Sequence, residues 1–380
     1  MHHGMLTVYK EAGYTSSDAV ARLRGILRMR KIGHTGTLDP DAVGVLPMCL
    51  GNATRICELI ADREKEYVAV MRLGVQTDTQ DMSGEILREI PEEDIPAILL
   101  QRNCGRDVDK LSVEEDSEDA KASINTEVKT RMNPSADETQ IEIIQKIQGR
   151  ICEAAAAFVG EIDQIPPMYS AVKVNGKRLY DMARKGITVE RKPRRITIYA
   201  LEIEKVELPL VTMRIRCSKG TYIRTLCEDL GNALGTGAAM QSLIRTRVGQ
   251  FTLDQARTLD ELEHLAKTKP EELLPLIRPV DSFFADIPAA ACTPDALRLL
   301  KNGNVLTLQQ LHFLSAEEDP QREYRTADTF DTSSLPGIDS GEKVIRIYDA
   351  DGFFYGLYRT RSGAKGRGLY SAYKMFLPEK

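Results

Sequence analysis

The sequence predicts an α+β fold in two domains, of which the second is small and rich in β-strands. Stretches of alternating apolar and polar residues, most clearly residues 196–218, stand between segments with the apolar period of helices. Near residue 279 the character changes at a joint, PVDSFF, and short strands follow. We therefore expect a first domain over residues 1–278 and a second over residues 279–380.

The first predicted element is a helix over residues 16–31, SSDAVARLRGILRMRK. It opens with residues that cap helices, and its apolar residues recur at helical spacing. Its last turn would hold three cations that complement the helix dipole, namely Arg28, Arg30 and Lys31. The next residues, GHTGTLDPDAVGVLP at 33–47, then form a loop that leaves a basic helix end.

Three strands and a second helix are predicted to build the centre of the first domain. The strands are YVAVMRLG (67–74), ITIYALEIEKVEL (196–208) and LVTMRIRCS (210–218). The last one alternates between an apolar and a basic face, and it runs through a short turn into a helix with an apolar stripe. Tyr222 and Arg224 therefore stand at a strand-to-helix junction, where side chains project into a cleft.

Residues 102–142 interrupt this pattern with eleven acidic side chains, six basic ones and no aromatic residue. Such a segment buries too little apolar surface to offset its ordering entropy, so we expect a mobile acidic insertion. A helix is expected to resume near Ile143 and to run to Phe158. In the second domain, VIRIYDADGFFYGLYRT (344–360) predicts a hairpin whose turn is Asp-Ala-Asp-Gly, and the polar stretch near 315–342 predicts a loop.

The charge distribution favours a nucleic-acid partner. The acidic insertion accounts for the whole net charge of −5, so the rest of the chain is neutral overall. Residues 173–195 hold nine Lys or Arg against two acids, and residues 359–374 hold five against none. A single basic run is explained equally well as a solvated face, but two runs interleaved with tyrosines indicate a nucleic-acid footprint.

Composition restricts the compartment and the chemistry. No apolar run approaches the roughly 18 residues of a membrane span, and the N-terminus MHHGMLTVYK is too short and polar for a secretory signal. The seven cysteines, at positions 49, 57, 104, 152, 217, 227 and 292, form no CxxC pair, and only five histidines occur. We expect a cytoplasmic protein with reduced thiols and no metal site.

The loop at 33–47 carries two aspartates, Asp39 and Asp41, among small and aliphatic residues. A calcium loop fails because Val43 and Leu50 occupy positions that would have to ligate. A phosphoryl-aspartate signature fails because Gly33 stands where that nucleophile would be. A lone GxxG, as in nucleic-acid-binding KH modules, is common by chance. From the residues alone, a surface turn and a rigid loop that presents one catalytic carboxylate both remain open.

Several long motifs then resemble, in the same order, those of TruB-type tRNA pseudouridine synthases. They are GHTGTLDPDAVGVLPMCLGNATRI, KEYVAVMRLGVQTDTQDMSG, IPPMYSAVKVNGKRLYDMARKGI and CSKGTYIRTLCEDLG, together with the N-terminal YKEAGYTSSD. They cover most of residues 5–250. The resemblance implies a pseudouridine synthase fold, with a mixed, mostly antiparallel central sheet flanked by helices. More faintly, the C-terminal region resembles a PUA-like RNA-binding domain.

The resemblance also implies an activity and its residues. The family isomerises the T-loop uridine at tRNA position 55 to pseudouridine without cofactor or metal. Its nucleophile falls on Asp39, which attacks the base or the sugar, and covalent catalysis splits a difficult rearrangement into easier steps. Its active-site tyrosine falls on Tyr67, which stacks on the target base and helps to deprotonate it. Its arginine falls on Arg224, which would keep Asp39 ionised and aimed.

Other positions match the family's substrate contacts. His34 matches a histidine that enters the T loop and fills the space of the extruded base, as base flipping requires. The uracil pocket is implied for Tyr222 and Leu243, with Asp78 as a polar neighbour. Four cations are expected to contact phosphates: Lys173, Lys177, Arg178 and Lys219.

The expected partner is tRNA, bound as a monomer through its T stem-loop and, by the PUA-like domain, its acceptor stem. Two rival hypotheses are a tRNA-folding chaperone without chemistry and a guide-RNA-dependent synthase. The catalytic residues disfavour the first, and the lack of a Lys-rich terminal tail disfavours the second. The chain departs from the family where Lys10 is followed by Glu11 instead of proline. The acidic insertion, like-charged to RNA, is expected to lie off the RNA path.

Overall fold

A computed structural model describes residues 3–101, 138–170, 172–324, 335, 337–339, 341–360 and 368–377, apart from residues 62, 175 and 188. The helices in these ranges are α1 (Ser16–Leu27), α2 (Cys57–Ala61), α3 (Ile95–Leu100), α4 (Glu138–Ala156), α5 (Leu179–Ala183), α6 (Ile223–Leu234), α7 (Leu259–Thr268), α8 (Pro270–Leu273) and α9 (Leu297–Lys301).

The strands fall into two groups along the chain. The first group is β1 (Gly4–Lys10), β2 (Ile32–His34), β3 (Val43–Leu50), β4 (Lys65–Leu73), β5 (Val75–Thr77), β6 (Ile86–Glu89), β7 (Gly160–Gln164), β8 (Lys173–Val174), β9 (Lys177–Arg178), β10 (Arg194–Glu207), β11 (Leu210–Cys217), β12 (Ala238–Val248) and β13 (Phe251–Thr252). The second is β14 (Ala289–Cys292), β15 (Leu306–Thr307), β16 (Leu311–Phe313), β17 (Val344–Tyr348), β18 (Phe354–Thr360) and β19 (Leu369–Met375).

The first group builds a nine-stranded sheet in the order β1-β3-β12-β4-β11-β10-β7, with β2 on β3 and β13 on β12. All its pairs are antiparallel except β3 with β12. The predicted mixed, mostly antiparallel sheet is therefore confirmed. The parallel pair matters for function because it sets the loop before β3 beside the middle of β12.

Binary patterning explains how the sheet is covered. On β11 the residues Val211, Met213, Ile215 and Cys217 are all buried, while the residues between them are not. The predicted stripe of α6 is also buried, and it packs with α3 and α4 on the same face of the sheet. A separate cluster packs β1 and β3 against α1 and α7. Both predicted features are confirmed.

The predicted end of the first helix is wrong. Thr15 and Asp18 form a capping box at its start, but α1 ends at Leu27 and Arg28 follows in the left-handed conformation, with φ of 52°. Arg30 and Lys31 thus lie beyond the helix and not in its last turn. The chain turns early because the apolar stripe of α1 is complete, and β2 must pair with β3.

The second group of strands builds a six-stranded sheet in the order β15-β19-β18-β17-β14-β16. Its β17–β18 pair is the hairpin predicted from 344–360, and the prediction is confirmed. Aromatic residues pack between this sheet and the nine-stranded sheet, with Phe251 and Phe283 stacked at 5.3 Å between ring centroids. Arg346 of β17 forms a fully buried ion pair with Asp319 at 2.6 Å.

The predicted mobile insertion lies outside the described residues except for its last five, which belong to α4. That helix begins at Glu138, earlier than the start predicted near Ile143. The predicted loop near 315–342 lies partly outside the described residues as well. Among the helices that the structure describes, none combines the length and apolar character that crossing a bilayer demands.

Candidate active site

Hydrogen bonds to backbone groups of the loop between β2 and β3 fix this loop to the start of α1 and to the turn before it. The hydroxyl of Ser16 accepts a hydrogen bond from the Leu38 amide at 2.9 Å and donates to the Leu38 carbonyl at 3.2 Å. The Pro40 carbonyl accepts from the Gly13 amide at 3.0 Å. Asp39 lies between these two anchored residues, so its carboxylate has a fixed direction.

Lys10 is a second anchor of this loop, and it has no exposed surface. Its ammonium group donates to the carbonyls of Glu11 at 2.9 Å, Tyr14 at 2.7 Å and Pro40 at 2.8 Å. Burial lowers the pKa of Lys10 to about 8. The three carbonyls match the three donors of an ammonium and therefore act against that decrease. Lys10 thus ties the Asp39 loop to the turn that precedes α1.

The loop presents Asp39 to Arg224, the second residue of α6. The Arg224 Nε atom lies 3.0 Å from Asp39 Oδ2. Only 7% of the Arg224 side chain is exposed, whereas 42% of the Asp39 side chain is reached by solvent. The guanidinium thus belongs to the interior, while the carboxylate stands at its surface and is accessible to a substrate.

The two Nη atoms of Arg224 contact the turn at residues 79–81 and the backbone of Tyr169. Nη1 donates to the Thr79 carbonyl at 3.0 Å and lies 3.3 Å from Asp81 Oδ2, and Nη2 donates to the Tyr169 carbonyl at 2.8 Å. Two carboxylates therefore share one guanidinium. Asp81 is itself fixed, because its Oδ1 accepts from the Thr79 hydroxyl at 2.7 Å and from the Ser83 amide at 3.0 Å.

The electrostatics of Asp39 result from opposing influences. Burial among protein groups raises its pKa above the ordinary value for aspartate, and the charge of Arg224 lowers it. Asp81 raises the pKa further, since two like charges close together disfavour ionisation. The balance leaves the pKa of Asp39 raised. Such a carboxylate is more basic than an exposed one.

Asp39 and Arg224 lie in a cavity of about 920 Å³, at the upper end of the roughly 300–1,000 Å³ typical of ligand pockets. His34 and Leu243 also line it, as do Asp81 and the ring of Tyr169. The cavity thus combines an apolar wall, aromatic and imidazole side chains, and two carboxylates paired with Arg224. Chemically, it can take a planar ring and expose it to a carboxylate nucleophile.

In the described ranges no group of three or more His, Cys, Asp or Glu side chains is arranged to hold a metal ion. Asp39 and Asp81 instead converge on the guanidinium of Arg224. In this arrangement the positive charge between the two carboxylates is supplied by an arginine.

Comparison with known proteins assigns the family. A family model described as the N-terminal domain of TruB family pseudouridylate synthases matches residues 24–105 and 109–223. A second model, the C-terminal domain of tRNA pseudouridylate synthase B, matches residues 224–285. The chain belongs to the TruB family. The cavity residues from His34 to Leu243 fall within these matched ranges.

Two curated relatives show how far the similarity to TruB proteins extends. A protein of Lachnoclostridium phytofermentans named tRNA pseudouridine synthase B is 38% identical and covers 99% of this chain and 100% of the relative. One of the same name from Clostridium tetani is 39% identical over 79% of this chain and 84% of the relative. A solved H/ACA RNP bound to a substrate RNA matches at 22% identity, with a TM-score of 0.56 and coverage of 99% and 86%. At that identity it supports the pseudouridine synthase fold alone.

Tyr67 of this TruB-family chain lies beneath the cavity instead of lining it. Its side chain belongs to β4, is only 7% exposed, and packs in the core with Leu38, Ala42 and Leu243. Burial raises the pKa of Tyr67 to about 12, while the nearby charge of Arg245 acts against the increase. Stacking of this ring on a substrate base therefore stays a prediction, and it requires some opening of the floor.

Tyr222 and Asp78 support the site from outside the cavity lining. Tyr222 is the N-cap of α6, and both its backbone polar groups bond to the Gln164 side chain, at 2.8 Å and 3.1 Å. The Asp78 carboxylate accepts from the Glu85 amide at 2.8 Å and from the Tyr169 hydroxyl at 3.2 Å. Asp78 thus fixes the turn and the tyrosine, while Asp81 is the acid that meets Arg224.

His34 is at the cavity wall, where its Nδ1 accepts from the Gly36 amide at 3.3 Å. Burial, with Arg245 nearby, lowers the pKa of His34 and favours the neutral imidazole. A neutral ring stacks against a base without the cost of desolvating a charge. Its predicted entry into the T loop is compatible with this placement and stays a prediction.

The predicted phosphate contacts are placed only in part. Lys173, Lys177 and Arg178 lie on the β8–β9 hairpin, but their side chains fall outside the described residues. Lys219 is exposed in the turn between β11 and α6. Next to this hairpin, Tyr180 and Arg184 line the cavity. A basic rim around the cavity therefore stays a prediction.

The sequence interpretation missed Asp81 and the anchoring roles of Lys10 and Arg245. Asp81 occurs in the motif KEYVAVMRLGVQTDTQDMSG, three residues after Asp78, the acid that the resemblance places near the uracil pocket. No local signal separates Asp78 from Asp81, since both lie in one turn. The sequence marks Lys10 only by the unusual residue that follows it. No local signal distinguishes Arg245 from Arg247, which lies two residues further along the same strand.

Proposed function

We propose that this chain is a tRNA pseudouridine synthase that isomerises the T-loop uridine, at tRNA position 55. The observation that carries the proposal is the 3.0 Å contact between Asp39 and Arg224 at the floor of a nucleotide-sized cavity. Family membership and relatives named tRNA pseudouridine synthase B support the same activity. The target uridine would leave its stack and enter the cavity.

The chemistry rearranges bonds within one nucleotide. The bond between N1 and C1′ breaks, a bond between C5 and C1′ forms, the hydrogen leaves C5 and a proton is gained at N1. Asp39 acts as nucleophile toward the base or the sugar, and Arg224 aims it and stabilises its charge. Tyr67 assists removal of the C5 proton. Since no oxidant, reductant or group donor is consumed, we propose that neither cofactor nor metal is used.

The proposed partner is tRNA alone, bound by a monomer of this protein in the cytoplasm. We propose that residues 1–278 hold the T stem-loop and that residues 279–380, as a PUA-like domain, contact the acceptor stem. Phosphate contacts are proposed for Lys173, Lys177, Arg178 and Lys219, and pocket contacts for the cavity residues His34 and Leu243. Tyr222 and Asp78 would support that pocket through the bonds described above.

The test uses purified protein and an unmodified tRNA transcript. Wild type is expected to form one pseudouridine per transcript at position 55, and Asp39→Asn to form none. Asp41→Asn is the matched control, because Asp41 lines the same cavity two residues from Asp39 but makes no ion pair among the described residues. We expect it to keep most activity.

The outcomes separate the rival functions. Normal turnover by Asp39→Asn would eliminate the proposed nucleophile. A transcript that is refolded equally by wild type and Asp39→Asn, with no pseudouridine from either, would instead favour a chaperone. A transcript with the target uridine replaced by cytidine controls for modification elsewhere in the T loop.

A further inference from the structure

Arg245 is among the bulkiest fully buried side chains, with 1% of its surface exposed. It stands on β12 at the parallel contact with Gly44 of β3, and directly opposite Tyr67 of β4. A buried charge is costly unless its polar groups are paired. In the described part of the chain, however, Arg245 forms no ion pair with a carboxylate. Its placement therefore calls for a reason other than a salt bridge.

Its donors hold the backbone on both sides of Asp39. Nε donates to the Val45 carbonyl at 2.8 Å, Nη2 to the Gly36 carbonyl at 3.2 Å, and Nη1 lies 3.5 Å from the Thr37 carbonyl. The first of these acceptors follows Asp39 in the chain and the other two precede it. A planar guanidinium presents donors in several fixed directions, so it can join such acceptors where an ammonium cannot.

Arg245 also stands opposite Tyr67 across the β12–β4 pair, and its charge acts to lower the pKa of the Tyr67 phenol. It thus bonds to the loop that carries the nucleophile and acts electrostatically on the phenol assigned to proton removal. Positive charge at this point stabilises negative charge on the phenol oxygen. At this point β3 approaches β12 too closely for a side chain, because a Cβ added at Gly44 would lie 2.3 Å from the Arg245 carbonyl oxygen.

We propose that Arg245 is a positioning residue of the isomerisation, which holds the Asp39 loop and the Tyr67 phenol in their reactive relation from beneath the cavity. This inference rests on the proposed function. Arg245 does not line the cavity, so it acts on the substrate only through these two groups. Its loss should therefore slow the chemical step more than it weakens RNA binding.

The test measures Arg245→Gln under single-turnover conditions with saturating enzyme, alongside transcript affinity. We expect the rate constant to fall roughly 100-fold, because a small misplacement of catalytic groups causes a loss of that size. The transcript affinity should change less than about threefold. Arg247→Gln is the matched control on the same strand, because Arg247 pairs with Glu64 away from the cavity. It should leave the rate constant within twofold of wild type.

A double-mutant cycle with Tyr67→Phe distinguishes positioning from a general structural role. Once the phenol oxygen is absent, Arg245→Gln should cost only roughly tenfold, because only the loop contribution is left to lose. Equal losses in both backgrounds, or weaker RNA binding at an unchanged rate constant, would overturn the inference. A purely structural role would lower the melting temperature without this coupling to the phenol.

Two further measurements keep the inference testable if Arg245→Gln misfolds. Arg245→Lys retains the charge and should recover folding but only part of the rate, since one ammonium cannot meet all the carbonyls. Added guanidinium ion at millimolar concentration should raise the rate of Arg245→Gln and not that of Arg247→Gln. Full activity of Arg245→Lys would overturn the inference. Inactive wild type would overturn the proposed function and this inference with it, whereas active wild type with an active Arg245→Gln would overturn this inference alone.

Discussion

Replacing Arg224 tests whether its charge or its geometry matters more to the proposed nucleophile. The guanidinium meets two carboxylates and two backbone carbonyls at 2.8–3.3 Å. Arg224→Lys keeps the charge but cannot meet all four acceptors from a single ammonium. Arg224→Gln removes the charge as well, which leaves Asp39 and Asp81 facing each other without a cation.

The structure gives the magnitude of each effect. A hydrogen bond to a charged group contributes about 1.5–3 kcal/mol, so losing one of the bonds that hold the guanidinium against Asp39 should slow turnover of Arg224→Lys roughly 10- to 100-fold. In Arg224→Gln the missing cation should also raise the pKa of Asp39, because an adjacent opposite charge lowers the pKa of a carboxyl group. We expect a loss of roughly 1,000-fold at pH 7.

The assay follows tritium released from a transcript labelled at uridine C5, because this hydrogen must leave when C5 bonds to C1′. Single-turnover rates are measured from pH 5 to 9. The nucleophile works when ionised, so the rate rises with pH through the pKa of Asp39, and raising that pKa moves the acid limb to higher pH. The limb should move upward for Arg224→Gln and hardly at all for Arg224→Lys. An unmoved limb in Arg224→Gln, or normal turnover by either variant, would refute the reasoning.

Three further changes test the surroundings of this pair. Asp81→Asn should shift the acid limb of the same pH profile downward, because Asp81 raises the pKa of Asp39. Lys10→Met should lower the free energy of unfolding by about 2–3 kcal/mol in urea titrations and also slow tritium release, because three carbonyls lose their donor next to the Asp39 loop. Arg346→Met should lower the free energy of unfolding by about 3–5 kcal/mol, because it leaves a buried aspartate without its cation.

Each of these changes has a result that contradicts it. An acid limb that moves upward in Asp81→Asn would mean that Asp81 acts mainly by orienting Arg224. Unchanged stability in Lys10→Met would show that the loop is held by Ser16 and Gly13 alone. A stable Arg346→Met would mean that the buried aspartate is protonated or hydrated once its partner is removed.

The fold was largely accessible from the sequence, because alternation and helical periodicity reflect local backbone geometry. The buried face of β11, the stripe of α6 and the β17–β18 hairpin were all predicted correctly from their patterns. The end of α1 was not, because a basic run continues past Leu27 without any break in helix-forming residues. The left-handed Arg28 is imposed by the pairing of β2 with β3, and such tertiary demands override local propensity.

The candidate site, like the fold, could be predicted from the sequence only in part. The motifs around Asp39, Tyr67 and Arg224 determined the family, and with it the expected nucleophile. The tertiary structure decided which acid shares the guanidinium: Asp81 and not Asp78. Both acids lie in one turn, and the turn's sequence does not record which of them faces α6.

Motifs and periodicity were thus enough to indicate the family, the order of elements and the residues most suited to chemistry. Tertiary packing was needed to place Tyr67 beneath the cavity and to set Arg245 opposite it, bonded to the backbone on both sides of Asp39. The physical reason is that periodicity and motifs are properties of neighbouring residues along the chain. A shared guanidinium, a buried phenol and a parallel contact between β3 and β12 arise only when distant segments pack together.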